Sequence, residues 1–257
     1  MAKLPATHFL REVRLNRATV PSFDEYPFNL SAIRTLDRLA FHPNVTFLVG
    51  ENGSGKSTLV EAIAVALGLN AEGGNKNYNF ATRATHSELY RHLVTVRGWT
   101  RPWDTFFLRA ETFYNVASYV EQIGGGAATA YGDRPLHELS HGESFFALFR
   151  ERFRGQGLYL LDEPESALSP MRQLAMLRIL DDHVNDCSQF IIATHSPILL
   201  AYPRAWIYEL GPKGPERVEY ERTEPFRIYR DFINRHPLML RSILKADPDR
   251  TEIADDK

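Results

Sequence analysis

Residues 50–57, GENGSGKS, have the residue types and the spacing of a phosphate-binding loop. They match G-x-x-x-x-G-K-[ST] between a strand-like run and a helix-like stretch, the context that this pattern requires. Glycines let successive backbone N–H groups curl around β- and γ-phosphates, and the helix start adds its positive dipole end. We expect Lys56 to pair with phosphate oxygens and the Ser57 hydroxyl to ligate Mg²⁺. The alternative is a glycine turn that happens to precede a lysine. The expected nucleotide-binding residues are Gly50, Asn52, Gly53, Ser54, Gly55, Lys56, Ser57 and Thr58.

Two acids, Asp162 and Glu163, follow the apolar run 158–161. Two neighbouring carboxylates at the end of a buried strand are unfavourable unless a ligand compensates their charge, and a bound metal-nucleotide would do so. In that interpretation Asp162 holds Mg²⁺, and Glu163 orients and deprotonates the attacking water. The alternative is a strand that runs out into a solvated acidic turn.

His195 follows the next apolar run, FIIA. A lone histidine at a strand end is more often a satisfied surface or core residue. Strand ends on one edge of a parallel sheet converge, however, so His195 is placed to reach the γ-phosphate. The expected catalytic residues are therefore Lys56, Glu163 and His195.

Residues 137–143, HELSHGE, fit two unrelated chemistries. The first five letters spell H-E-x-x-H, in which two histidines one helical turn apart hold zinc and the glutamate acts as a base. Gly142 disfavours a helix that continues past His141, and no third histidine follows at metzincin spacing. Glu163 lies at roughly the separation at which one branch of these proteases has its third zinc ligand. The same glutamate is, however, the expected base of the nucleotide site. The zinc interpretation is therefore the weaker one.

The elements that must position these residues alternate between strands and helices. Strand-like runs lie at 45–49 and 105–108 and begin again at Gly157 and Gln189, and helical patterns follow residue 57 and span 169–186. Such alternation predicts an α/β fold with a mostly parallel sheet covered by helices on both faces. Residues 8–17 are predicted to form an early strand that pairs near 32–39.

Composition limits the possible functions of the chain. Its 257 residues are 44% hydrophobic and 24% charged, as is usual for a globular protein. The net charge of -2 gives no overall basic field, so any contact with nucleic acid needs a local patch. No apolar window is long enough to span a membrane, and the first residues lack the apolar core of a signal peptide. A single cysteine, Cys187, excludes an intramolecular disulfide. We expect a cytoplasmic protein without membrane insertion.

The ordered motifs resemble those of ABC-type ATPases. Walker A at 50–57 is followed by L-S-x-G-E at 139–143, Walker B at 157–163, a D-loop at 164–170 and a switch histidine, His195. The chain is similar throughout to bacterial stand-alone ABC-type, SMC/RecF-like P-loop ATPases that are often labelled AAA-family ATPases. Glu143 stands where transporters usually have glutamine, which favours the SMC, RecF and DNA-repair branch.

The resemblance implies a single ATPase domain that binds ATP and Mg²⁺, the metal on Ser57 and Asp162. The nucleotide-binding core would comprise about 1–70 and 155–210, with a helical signature lobe at 71–154 and a C-terminal helical extension at 222–246. Two subunits would close head to tail, each supplying Ser140 and Gly142 to the γ-phosphate held by the other, and Glu143 is a further expected nucleotide-binding residue. The site would then be incomplete in a monomer.

Two departures from the family pattern stand out. His141 replaces the usual glycine beside the phosphate contact made across the dimer. No glutamine follows the strand that ends near Leu108, so Glu111 or Arg109 would take the place of the Q-loop residue. Glu111 keeps an oxygen ligand, which makes it a candidate nucleotide-site residue.

The process that this ATPase serves is open between three hypotheses. Glu143 and a cluster of arginines and aromatics favour DNA processing, since aromatics stack on bases and arginine neutralises phosphates. A transporter subunit is the alternative, although the missing Q-loop glutamine argues against it. A regulatory or defence switch read by a protein effector is the third. The cluster comprises Arg91, His92, Arg97, Trp99, Arg101 and Trp103.

Overall fold

The computed structural model describes residues 8–74, 87–110, 149–150 and 153–244. The strands of this part are β1 (Leu10–Leu15), β2 (Arg38–Ala40), β3 (Val45–Val49), β4 (Leu93–Arg97), β5 (Asp104–Arg109), β6 (Gly157–Asp162), β7 (Gln189–Ala193), β8 (Ala205–Gly211) and β9 (Gly214–Val218). The α-helices are α1 (Ser31–Arg34), α2 (Lys56–Ala66), α3 (Pro170–Asn185), α4 (Pro197–Leu200) and α5 (Glu224–Leu244).

The main sheet has the strand order β5-β6-β7-β3-β8-β9. Its pairs from β5 to β8 are parallel, and β9 is antiparallel at the edge. This is the predicted α/β architecture with a mostly parallel sheet, and the strands expected at 45–49, 105–108, Gly157 and Gln189 are confirmed. The order places the carboxyl ends of β6, β7 and β3 side by side, with Asp162 opposite Ala193 and Ala193 opposite Leu48.

Alternating residues of the central strands enter two separate cores. Phe47, for example, lies in the core of one face, and Leu48 lies in the core of the other. The first face packs under α3 and α4, through residues such as Leu180 and Leu199, and the second packs under α2 and the smaller sheet. Because both faces are buried, these strands read as continuous apolar runs rather than as alternating patterns.

A smaller antiparallel sheet, in the order β2-β1-β4, covers α2 and completes the second core. The early strand pairs near the predicted segment, but residues 31–34 form a helix there and the partner strand is limited to Arg38–Ala40. Both β4 and β5 fall inside the range expected for the lobe, and each pairs with a strand of the core, β1 and β6 respectively. The division between core and lobe elsewhere stays a prediction.

The last helix, α5, lies within the range 222–246 that is predicted for a C-terminal helical extension, and it has no buried residue. Arg235 leaves helical backbone angles two residues before Pro237, so the helix bends there. In the described part of the chain, no helix combines the length and the apolar character that crossing a membrane requires.

Candidate nucleotide-binding site

The loop between β3 and α2 has the backbone of an anion cradle. Gly50, Gly53 and Gly55 have φ angles of 152°, 79° and 104°, a range that L side chains rarely adopt. A Cβ atom at Gly50 would lie 2.6 Å from the carbonyl oxygen of Leu210, so close approach also requires glycine there. The Ala32 amide donates to the Ser54 carbonyl oxygen at 3.0 Å and fixes the loop against α1.

Lys56 is buried at the first position of α2, and its ammonium group folds back over the loop. Nζ donates to the carbonyl oxygens of Gly50 at 2.7 Å and Glu51 at 3.0 Å. Burial lowers the pKa of Lys56, while the nearby carboxylates of Glu163 and Asp162 oppose that shift. An ammonium held by two neutral carbonyl oxygens remains able to exchange them for phosphate oxygens, which pair more strongly with a cation.

Ser57 and Asp162 meet at the junction of α2 and β6. The Ser57 hydroxyl donates to Oδ1 of Asp162 at 2.9 Å, and the Asp162 side chain is buried. A hydroxyl and a carboxylate are hard oxygen donors, the kind that Mg²⁺ prefers. The two residues predicted to hold the metal are therefore in contact.

Arg109 occupies the same junction from the end of β5. Its Nη1 donates to Oε2 of Glu61 at 2.8 Å, and its Nε lies 3.5 Å from Oδ2 of Asp162. Glu61 is on α2, and its Oε1 also accepts from the Ser87 amide at 3.3 Å. From the sequence, Arg109 is predicted only as a substitute for the Q-loop residue, and Glu61 is not predicted as a site residue. An acid inside an apolar helix does not indicate which distant cation it will pair with.

Glu163 and His195 follow the ends of β6 and β7. Glu163 has the left-handed angles φ 49° and ψ 51°, uncommon for a residue with a side chain, and its amide donates to the Ala193 carbonyl at 2.9 Å. Its Oε1 lies 3.8 Å from Nε2 of His195. Burial and Lys56 lower the pKa of His195, with Glu163 opposing, so the imidazole is neutral at pH 7.

A small cavity adjoins these groups. A cavity of about 140 Å³ is lined by Ser57, Arg109, Ala110, Asp162, Glu163 and Ser166. Within the described residues, the buried Ser54 hydroxyl oxygen has no hydrogen-bond partner. An orphaned hydroxyl in a glycine cradle, beside a lysine and a hydroxyl–carboxylate pair, fits a polyphosphate with its cation.

The predicted residues divide into those that the structure brings together and those outside its described part. The loop 50–55, Lys56, Ser57, Thr58, Asp162, Glu163 and His195 converge on one edge of the main sheet. Glu111, Ser140, His141, Gly142 and Glu143 lie outside the described residues. Their roles stay predictions, as does the weaker zinc interpretation of 137–141. No cluster of three or more potential metal ligands of the His, Cys, Asp and Glu type occurs in the part that the structure describes.

Two family models match the chain in succession. Residues 28–100 match a model described as an AAA domain, and residues 111–201 match one described as "AAA domain, putative AbiEii toxin, Type IV TA system". The first match contains the phosphate loop, and the second contains the acids of β6 and His195.

Curated relatives carry the name cytochrome c biogenesis ATP-binding export protein CcmA. The protein from Rhodopseudomonas palustris (strain BisB5) is 29% identical over 163 residues, which are 60% of this chain and 79% of the relative. The protein from Vibrio vulnificus (strain YJ016) is 29% identical over 203 residues, 71% of this chain and 97% of the relative.

The solved structures to which this chain is similar include the SMC head domain from Thermotoga maritima. It is 16% identical with a TM-score of 0.47, over 82% of this chain and 99% of that one. The cbiO1 protein of Clostridium perfringens, part of the ABC transporter complex cbiONQ, is 16% identical with a TM-score of 0.48, over 92% of this chain and 99% of that one. The fold assignment itself rests on the strand order and the phosphate loop.

Proposed function

We propose that this chain is an ABC-type P-loop ATPase, in line with its family matches and its relatives, and that it binds MgATP at the carboxyl ends of β3, β6 and β7 and hydrolyses it. The observation that carries the proposal is the contact between Ser57 and Asp162. It joins the helix that follows the phosphate loop to the strand that supplies the acids, so a hydroxyl and a carboxylate would hold a divalent cation, which would supply positive charge next to the phosphates. We assign this activity to the cytoplasm, as the sequence predicts.

Each residue of the site has a separate task in this proposal. The amides of the loop and Lys56 bind the β- and γ-phosphates, and Ser57 and Asp162 hold Mg²⁺. When bound, the metal neutralises charge that develops on the phosphates. Glu163 orients the attacking water and accepts its proton, and the neutral His195 imidazole donates to the γ-phosphate.

The left-handed backbone at Glu163 supports its role as the base. Its amide is tied to the Ala193 carbonyl, so the carboxylate leaves β6 toward the cavity rather than continuing along the strand. A non-glycine residue in this conformation costs about 1–3 kcal/mol, and such strain clusters at active sites. Its 3.8 Å distance from His195 lets both side chains approach the same phosphate.

We further propose that the complete site forms between two copies of the chain. Each would supply Ser140 and Gly142 to the γ-phosphate held by the other, as the family resemblance implies. Closure would then couple bound nucleotide to subunit geometry, and hydrolysis would reopen the pair.

The test is the assembly state and rate of the wild type and of Glu163→Gln. With MgATP, Glu163→Gln is expected to elute as a dimer by size exclusion with light scattering, and the wild-type rate should rise faster than linearly with protein concentration. Asp182→Asn, which changes an exposed acid on α3, is the matched control. A Glu163→Gln protein that stays monomeric with MgATP contradicts the dimer, and hydrolysis by that variant at the wild-type rate contradicts the base.

A role in nucleic-acid processing is supported by the loop after β4. Trp99 and Trp103 are 97% and 85% exposed, and Arg97 and Arg101 beside them are exposed too. Exposed tryptophans are rare on a protein surface, and aromatics interleaved with arginines suit stacked bases and phosphates. Two predicted members of the cluster have other contacts, since Arg91 pairs with Glu88 and His92 packs on Phe28.

Binding of labelled single-stranded DNA, followed by fluorescence anisotropy, tests this role. Stacking contributes about 1–3 kcal/mol per base, so Trp99→Ala/Trp103→Ala should weaken binding about tenfold or more. Trp206→Phe is the matched control, because that tryptophan packs against His42 and Arg217 in the main sheet. Equal affinity of the wild type and the double variant would exclude this loop as the binding surface.

The alternative is a nucleotide-binding subunit of an exporter, which the similarity to ATP-binding export proteins favours. ATP hydrolysis that is indifferent to DNA, together with stable co-purification with an integral membrane protein, would support this alternative over nucleic-acid processing.

A further inference from the structure

One acid near the site has no task in the proposed reaction. Glu165 lies in the 3-10 turn Pro164–Ala167 that follows Glu163. Its Oε1 accepts a 2.6 Å hydrogen bond from the backbone amide of His195, and its Oε2 is buried. The carboxyl therefore faces inward, toward the loop that carries the histidine.

The loop after β7 is tied to the same segment at a second point. The Ser196 hydroxyl donates to Oε1 of Gln173 at 2.6 Å, and Nε2 of Gln173 donates to the Leu168 carbonyl at 3.0 Å. Two short hydrogen bonds thus join residues 165–173 to residues 195–196. One is donated by the His195 amide to Glu165, and the other by the Ser196 hydroxyl to Gln173. A displacement of one segment is transmitted to the other through these bonds.

Stability alone gives little reason to keep a carboxyl at this position. Burial raises the pKa of Glu165, whereas hydrogen bonds from the His195 amide, from the Glu165 backbone amide and from the Thr194 side chain lower it, and Glu163 adds like-charge repulsion. Burying a carboxyl group costs free energy that such bonds offset only in part. An apolar side chain would avoid that cost but would leave the His195 amide without its acceptor.

We propose that Glu165 is a positioning residue for His195, which it holds beside Glu163 through the His195 backbone amide. The inference rests on the proposed function, because it assigns how one residue of that site is placed. The hydrogen bond fixes the peptide from which the imidazole extends, and so limits the positions open to Nε2, which lies 3.8 Å from the Glu163 carboxylate. Movement of residues 165–173 when subunits close would move His195 with it.

The matched pair of variants is Glu165→Gln and Glu165→Ala. Glutamine keeps an acceptor oxygen toward the His195 amide, and alanine removes it. We expect Glu165→Ala to lower kcat about tenfold to a hundredfold, the range seen when a supporting hydrogen bond to an active-site group is lost, with the Kd for a fluorescent ATP analogue changed less than about twofold. Glu165→Gln should stay within about threefold of the wild type, at an unchanged Tm.

Two further measurements separate positioning from general damage. In the His195→Ala background, Glu165→Ala should cause no additional loss of kcat, because its effect acts through the imidazole. In the nucleotide-free protein, the imidazole NMR signal of His195, assigned by its disappearance in His195→Ala, should shift in Glu165→Ala and stay in place in Glu165→Gln. An unshifted signal, or an equal loss of kcat in both backgrounds, overturns the inference.

The proposed function and this inference fail in different ways. A wild-type protein that does not hydrolyse MgATP contradicts the proposed function, while the NMR comparison still decides the role of Glu165. An active wild type with an equally active Glu165→Ala variant contradicts the inference and leaves the ATPase intact.

Discussion

The Ser57 hydroxyl donates a hydrogen bond to Asp162 across 105 positions of the chain, from the first turn of α2 to the last residue of β6. The contact forms because β7 alone separates β3 from β6 in the main sheet, so the loop after β3 and the acids after β6 open onto the same edge. The two groups are thereby preorganised as neighbouring oxygen ligands.

Asp162→Asn is expected to lower the rate of metal-dependent hydrolysis about a hundredfold. The carboxamide keeps the hydrogen bond with Ser57 but loses the negative charge that a divalent cation needs, at a cost of about 3 kcal/mol in transition-state stabilisation, or about a hundredfold in rate. The measurement is the Mg²⁺ dependence of hydrolysis at fixed ATP, with Asp182→Asn as control. Hydrolysis with the wild-type Mg²⁺ dependence would exclude Asp162 as a ligand.

Arg109→Met is expected to destabilise the fold by about 3 kcal/mol, the lower end of the range for a broken buried pair. The lower end applies because the Arg109 side chain is 22% exposed, while Glu61, which would be left charged, is only 11% exposed. Adding Glu61→Gln removes that charge, so the double variant should be more stable than Arg109→Met alone. Urea unfolding of both variants measures the difference, and strict additivity of the two substitutions would contradict a coupled pair.

Gly50→Ala is expected to weaken both the fold and ATP binding. The new Cβ would lie 2.6 Å from the Leu210 carbonyl oxygen, at a φ of 152°, so the loop or β8 must shift at a cost of about 1–3 kcal/mol. Gly211→Ala is the control, because nothing lies within 4 Å of a Cβ at that position. Thermal unfolding and titration with a fluorescent ATP analogue give the two readouts, and wild-type affinity in Gly50→Ala would show that the loop tolerates the side chain.

The free energy of unfolding should fall as the pH drops below about 6.5, in part because of His183. Burial lowers the pKa of His183, with smaller opposing effects from Phe149, Asp186 and Asp182. Below pH 6.5 the unfolded chain therefore binds a proton at His183 more readily than the folded chain does, so protonation favours unfolding. Above pH 6.5 the contribution of His183 to the free energy of unfolding is constant. His183→Gln should reduce the slope of stability between pH 5.5 and 6.5, as measured by urea unfolding at several pH values. An unchanged slope would show that the buried ring does not contribute.

Much of the main sheet was predictable, because buried parallel strands leave a signal that is local in sequence. The runs 45–49, 157–162 and 189–193 are continuous and largely apolar, and each leads into a residue that a nucleotide site uses, namely Gly50, Glu163 and His195. The hairpin of β8 and β9 was not predicted. Its strands mix buried and exposed residues at a sheet edge, where neither a continuous run nor strict alternation appears.

The sequence by itself determined the class of chemistry. The glycine spacing at 50–57, the acids at 162–163 and His195 depend on side-chain type and short-range order, which the chain carries whatever its packing. Only the tertiary structure decided which distant groups support them. Glu61 pairs with Arg109, and Glu165 accepts from the amide of His195, because strand order and helix placement bring these atoms together. Neither pair has a periodic spacing or belongs to a sequence motif from which the contact could be predicted. Hydrogen bonds and ion pairs act over a few ångströms of space, so their partners follow from the fold.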